Sequence, residues 1–87
     1  MKTNWRKYEP YKLTDEEFQA WLLDQNFNCA VCGKTFSNSF EICADHDHET
    51  GRVRGLLCRS CNGGIGLLRD DPRILEQAIV YLRKQTN

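Results

Sequence analysis

The stretch Cys29-Ala-Val-Cys32, followed by Asp45-His46-Asp47-His48-Glu49-Thr50-Gly51-Arg52-Val53-Arg54-Gly55-Leu56-Leu57-Cys58-Arg59-Ser60-Cys61-Asn62, decides the fold. One Cys-x-x-Cys unit opens it and another closes it. Two residues between thiolates let one tight turn aim both sulfurs at a single ion, and two such turns complete a closed tetrahedral site. Cys29, Cys32, Cys58 and Cys61 are therefore read as ligands of a structural zinc ion. Disulfide pairing is the competing reading, but the chain has five cysteines and nothing in it points to secretion. A metal bound this way supplies on the order of 10 kcal/mol of folding free energy. An 87-residue chain, with little room for a core, has use for such a staple.

Between the cysteine units the pattern is a hairpin. Residues 37–39 form a turn, Phe40 to Asp45 alternates as a short strand, His46 to Gly51 is a polar loop, and Arg52 to Leu57 is the returning strand. Cys43 shares a side with Asp45 by alternation and is read as a small buried hydrophobe. Gly33 suits the positive φ of the first knuckle. The second knuckle opens a helical segment reaching about Leu68. Gly63, Gly64 and Gly66 each cost that helix roughly 1 kcal/mol, which suggests close backbone approach to the hairpin or to a ligand.

Upstream, Thr14 and Glu17 form a capping box, and Asp15, Glu16 and Glu17 complement the helix dipole. Phe18, Trp21, Leu22 and Gln25 follow at helical spacing, so a helix with a core-facing stripe runs to about Gln25. Downstream, a last helix begins at Asp70 or Asp71 with Pro72 in its first turn. Ile74, Leu75, Ala78, Ile79 and Leu82 form its predicted buried stripe. The first dozen residues carry Trp5, Arg6, Lys7, Tyr8, Tyr11 and Lys12, an arm that either packs irregularly or lies on nucleic acid. One domain spans 1–87: an arm and helix over 1–28, a core over 29–68, and a C-terminal helix over 70–86.

Net charge is zero, with 12 Lys+Arg against 12 Asp+Glu, but the charge is segregated. Residues 41–49 hold four acids and no base; residues 52–69 hold four arginines and no acid. That juxtaposition suits a divalent cation beside a phosphate-binding surface, against the plainer reading of scattered solvated charge. No apolar run approaches the roughly 18 residues that span a bilayer, and the start lacks the apolar region of a signal peptide.

Both histidines of the chain fall in Asp45-His46-Asp47-His48. A calcium loop counted from Asp45 needs Gly sixth and Glu twelfth, where this chain has Thr50 and Leu56. A histidine zinc site competes with four cysteines that already saturate one ion. A catalytic site remains: an aspartate for a hard divalent cation, a histidine to take a proton from water, and arginines for phosphate. Adjacent strand residues face opposite ways, so Asp45 and His46 converge only if the strand ends or bulges there. Asn62, directly after Cys61, is placed as a second metal ligand. Arg52 and Arg54, with Arg59 and Arg69, make a candidate phosphate track.

In this order the two knuckles, the Asp-His pair, the arginine strand and Asn62 resemble the recombination endonuclease VII family of phages. That family lies within the His-Asn-His (HNH) nucleases with a ββα-metal core. The resemblance covers about residues 29–68, with some likeness in the final helix. It implies a small α+β fold with a zinc-stapled ββα-metal core and flanking N- and C-terminal helices. It further implies Mg²⁺ or Mn²⁺ held by Asp45 and Asn62, His46 as general base, and His48 at the phosphate or supporting the loop. The activity implied is DNA phosphodiester hydrolysis leaving a 5′-phosphate and a 3′-hydroxyl, in a phage-encoded protein working in the bacterial host cytoplasm. Longer junction-resolving members add a C-terminal helical region that builds an intertwined dimer, and can carry an acidic residue where this chain has Ile65. A chain ending at Asn87 is expected to be a monomer or weak homodimer that nicks duplex or branched DNA, open to recruitment by phage or host proteins. The rival readings are a non-catalytic zinc module binding nucleic acid or protein, and a nuclease acting on RNA.

Overall fold

The computed structural model describes residues 13–84. Trp5, Arg6, Lys7, Tyr8, Tyr11 and Lys12, and the predicted helix beyond Lys84, lie outside the described residues. The order is helix α1 (Asp15–Asp24), strands β1 (Ile42–His46) and β2 (Val53–Cys58), helix α2 (Arg59–Leu67) and helix α3 (Pro72–Lys84). The architecture is α+β: an antiparallel hairpin with α2 packed against both strands, and helices on either side in sequence. No helix among the described residues is long and apolar enough to cross a membrane.

The capping box forms as expected. Thr14 Oγ1 accepts the Glu17 N–H at 3.0 Å, and Glu17 Oε1 accepts the Thr14 N–H at 2.9 Å. α1 buries Phe18 and Leu22 and leaves Trp21 half-buried. It ends where Asn26 takes φ 54°, with Asn26 N–H on the Leu23 carbonyl and Phe27 N–H on the Leu22 carbonyl. Asn38 caps a short 3₁₀ turn over Ser39–Glu41 by accepting the Phe40 N–H at 2.9 Å. Phe40 is thereby drawn into the turn, and β1 starts two residues later than the alternation suggests.

Ala44 of β1 lies opposite Leu56 of β2, and both are buried against Phe18, Leu22 and Phe36. Cys43, on the other side, is half-buried rather than buried. The outer edge of β2 is covered by a side chain. Gln25 Nε2 donates to the Leu56 carbonyl at 2.9 Å and to the Asn28 carbonyl at 2.7 Å, and Gln25 Oε1 accepts the Leu56 N–H at 2.9 Å. A long amide thus does the work of another strand and blunts an open edge.

That clamp explains Gly55. A Cβ there would stand 3.3 Å from Gln25 Oε1 and 3.9 Å from the Ala30 methyl. Gln25 cannot yield without losing those hydrogen bonds. Gly55→Val is therefore expected to destabilise the fold by about 1–3 kcal/mol, the usual cost of overpacking. Urea unfolding midpoints of metal-loaded protein check this, and an unchanged midpoint would contradict it.

Two expectations need correction. Gly63, Gly64 and Gly66 are not sites of close approach among the described residues, where a Cβ at any of them meets nothing within 4 Å. The stripe on α3 is not buried either. Ile74, Leu75 and Ala78 are half-buried, while Ile79 and Leu82 are exposed, as are Val80 and Tyr81. The first turn of α3, through Pro72 and Leu75, meets the cleft beside β2. Nothing among the described residues covers the later turns.

Candidate functional site

The four knuckle sulfurs all lie within 4.8 Å of one another. Ligand distances near 2.3 Å in a tetrahedron place sulfurs about 3.8 Å apart, and Cys32 Sγ and Cys58 Sγ are separated by 3.8 Å. Backbone N–H groups already point at the sulfurs. Cys29 Sγ accepts from Val31, Cys32 and Cys58, and Cys58 Sγ accepts from Cys61. Burial pushes the Cys29 thiol up, but its N–H donors outweigh burial and bring it to about 6. Burial and the neighbouring cysteines push Cys61 up to about 12. Thiols crowded together resist joint ionisation, and a cation at their centre reverses that. The set could hold a structural metal such as zinc.

β2 runs from the hairpin loop into this staple. Asp45 pairs with Gly55 but His46 pairs with Val53, so the register slips by one residue between Asp45 and His46. Arg54 is the extra residue, a β-bulge on β2. The extra residue lies on β2 and not on β1, which runs through Asp45 and ends at His46, where the polar loop begins. The loop beyond is held by Asp47, whose Oδ1 accepts the N–H groups of Glu49 at 2.7 Å and Thr50 at 3.1 Å. Those two bonds hold the Asp47 carboxyl below the usual carboxylate range. The loop closes through Gly51, at φ 78°, whose N–H reaches the Asp47 carbonyl. Asp47 is thus a loop staple.

The bulge sends the Arg54 guanidinium across the hairpin. Its Nε and NH2 donate to Asp45 Oδ2 at 2.7 Å and Oδ1 at 3.0 Å, and NH2 also reaches Asp70 Oδ2 at 3.0 Å. The hydrogen bonds to Asp45, and then Asp70, hold Arg54 above its ordinary range. His48 Nε2 stands 3.5 Å from Asp70 Oδ2, and the His46 and His48 rings lie 4.9 Å apart, tilted by 53°. Asp45, His46, His48 and Arg54 therefore gather in one place, joined by Asp70.

Asn62 is half-buried on α2, immediately after Cys61, on the helix that packs over both strands. Of the other arginines, Arg59 donates to the Phe40 carbonyl at 2.5 Å. Arg52 and Arg69 are exposed beside the loop and at the end of α2. The arginine segment is not acid-free in space, because Asp45 and Asp70 come to Arg54 from either side of it in sequence.

Asp70 and Gln25 were not singled out by their sequence patterns as site-forming or edge-covering. Asp70 reads locally as a helix start, but Asp71 takes that duty, its Oδ1 accepting the Arg73 N–H at 2.9 Å. The Asp70-Asp71 doublet ahead of Pro72 was the available signal, since one cap leaves one carboxylate over.

The sequence profile of the family described as recombination endonuclease VII matches residues 4–84. The Gene 59 protein of Mycobacterium phage D29 is 42% identical over 85 residues, covering 94% of this chain and 52% of that protein. The Gene 59 protein of Mycobacterium phage L5 is 36% identical over 83 residues, covering 92% and 51%. Among solved structures, the beta-beta-alpha-Me type II restriction endonuclease Hpy99I matches with a TM-score of 0.60 and 31% identity. That match covers 92% of this chain and 46% of the enzyme's. The chain spans about half the length of the curated relatives it matches.

Proposed function

The chain belongs to the recombination endonuclease VII family, and from that membership we propose that it is a metal-dependent endonuclease that hydrolyses DNA phosphodiesters. The observation that supports the reading is the chain of contacts at the loop end of the hairpin, from Asp45 to Arg54 to Asp70 to His48 and on to the His46 ring, opposite the end that leads into the cysteine staple. We assign zinc to Cys29, Cys32, Cys58 and Cys61, where it fixes the start of α2 and so the placement of Asn62.

Asp45 and Asn62 would hold the catalytic Mg²⁺ or Mn²⁺. Both offer the hard oxygens these ions take. Asp45 already stabilises a positive charge, with the Arg54 guanidinium on both of its oxygens. The bound ion supplies stabilisation of negative charge on the scissile phosphate and the departing 3′ oxygen. His46 takes the proton of the attacking water as oxygen bonds to phosphorus. The P–O3′ bond breaks and the departing 3′ oxygen takes a proton from solvent, leaving a 5′-phosphate and a 3′-hydroxyl. His48 contacts the phosphate or supports the loop, and Arg52, Arg59 and Arg69 meet neighbouring phosphates. The bare outer face at Gly63 and Gly64 leaves room for a backbone to approach α2.

Matched DNA and RNA duplexes incubated with zinc-loaded protein in Mg²⁺, in Mn²⁺ and without either ion test this reading. Cleavage of DNA that requires the ion and leaves 5′-phosphate ends is expected. Preferential RNA cleavage would overturn the substrate assignment. No cleavage by folded protein would favour a non-catalytic zinc module.

A further inference from the structure

The cluster holds one carboxylate more than a metal-and-base site accounts for. Asp70 is delivered to it by the end of α2. Arg69 N–H bonds the Gly66 carbonyl and Asp70 N–H bonds the Ile65 carbonyl, and the two residues take φ 65° and 55°. Glycine ordinarily fills the first of these positions. Two successive left-handed non-glycine residues turn the chain so that the Asp70 carboxylate faces back over the hairpin.

There it contends with Asp45 for one guanidinium. The Arg54 NH2 group is 3.0 Å from an oxygen of each, and the two carboxylates are similarly shielded, at 17% and 21% exposed. Two carboxylates facing one guanidinium leave one negative charge uncompensated. Were Asp70 absent, Asp45 and Arg54 would form a neutral pair. Arg54 is 41% exposed and stands with Asp45 and Asp70 along a cleft of about 290 Å³. It has space to withdraw from Asp45 while keeping Asp70.

We propose that Asp70 is a positioning residue: by taking Arg54 it releases the Asp45 carboxylate for a divalent cation. The proposal rests on the reading of Asp45 as a cation ligand. Arg54 is then a resident cation that the metal displaces, and Asp70 is where it goes.

The test is Mn²⁺ binding to zinc-loaded protein without DNA, read from the paramagnetic resonance signal of unbound Mn²⁺. Arg54→Gln, which removes the competing charge, is expected to tighten binding about tenfold, and Asp70→Asn to weaken it about tenfold. In the Arg54→Gln background the same Asp70→Asn change is expected to cost clearly less than in the parent, because the direct attraction of its nearby charge is lost but no guanidinium is returned to Asp45. An equal cost in both backgrounds, or none in the parent, would overturn the proposal. Asp45→Asn separates it from the reading beneath it. Unaltered Mn²⁺ binding in Asp45→Asn would refute Asp45 as ligand. Binding lost there but insensitive to Asp70→Asn would refute the role of Asp70 alone. Should Asp70→Asn fail to fold, an Arg54→Gln protein that does not bind Mn²⁺ more tightly overturns the proposal by itself.

Discussion

Stripping the zinc proposed at Cys29, Cys32, Cys58 and Cys61 is expected to unfold the protein. The buried apolar side chains among the described residues are few, with Phe18, Leu22 and Leu56 the largest fully enclosed, and Cys29 and Cys58 themselves belong to the core. Each large apolar side chain contributes about 1.5–3 kcal/mol on burial, while every ordered residue costs about 1–2 kcal/mol of backbone entropy. So small a core leaves a narrow margin, and a metal set supplying on the order of 10 kcal/mol decides the outcome. The first knuckle, the end of β2 and the start of α2 converge on these sulfurs, with N–H groups aimed at them. Treatment with a strong chelator, or Cys58→Ser, should abolish the cooperative thermal transition and most of the far-ultraviolet dichroism, and returning zinc to the chelated wild type should restore both. A metal-free protein with an intact cooperative transition would contradict the structural role.

Replacing His46 with alanine is expected to lower DNA cleavage by about 10²–10⁴-fold, the range of a lost general base. His46 sits at the end of β1, across the bulge from Arg54, and not in the enclosed core, so the fold and the zinc content should survive. Loss of rate at unchanged zinc content and unchanged melting temperature marks a chemical role. Loss of rate with loss of fold would instead mark a structural one.

Much of this was legible in the sequence because it rests on short-range rules. Cys-x-x-Cys spacing fixes a knuckle whatever surrounds it, and Thr14 with Glu17 makes a capping box within one turn. Polar residues after Asp45 announce the end of a strand, and the register slip falls there. What escaped depends on residues distant in sequence. The arginine-only segment 52–69 suggested an open basic track, but folding brings Asp45 and Asp70 onto Arg54. Gln25 reads as the last polar residue of α1, yet it bonds the backbone of Leu56, 31 positions away. Three glycines in α2 drew attention to close packing, whereas the packed glycine is Gly55, set against that same Gln25. The α3 stripe has helical periodicity, but periodicity tells which residues share a face and not what covers it.

The proposed activity is hydrolysis of DNA by this hairpin and helix with a divalent cation and His46. Relaxation of supercoiled plasmid by zinc-loaded protein in Mg²⁺, with the His46→Ala protein alongside, tests it most directly. Nicking that requires the ion and is all but absent in the variant is expected. Equal nicking by both proteins would contradict it.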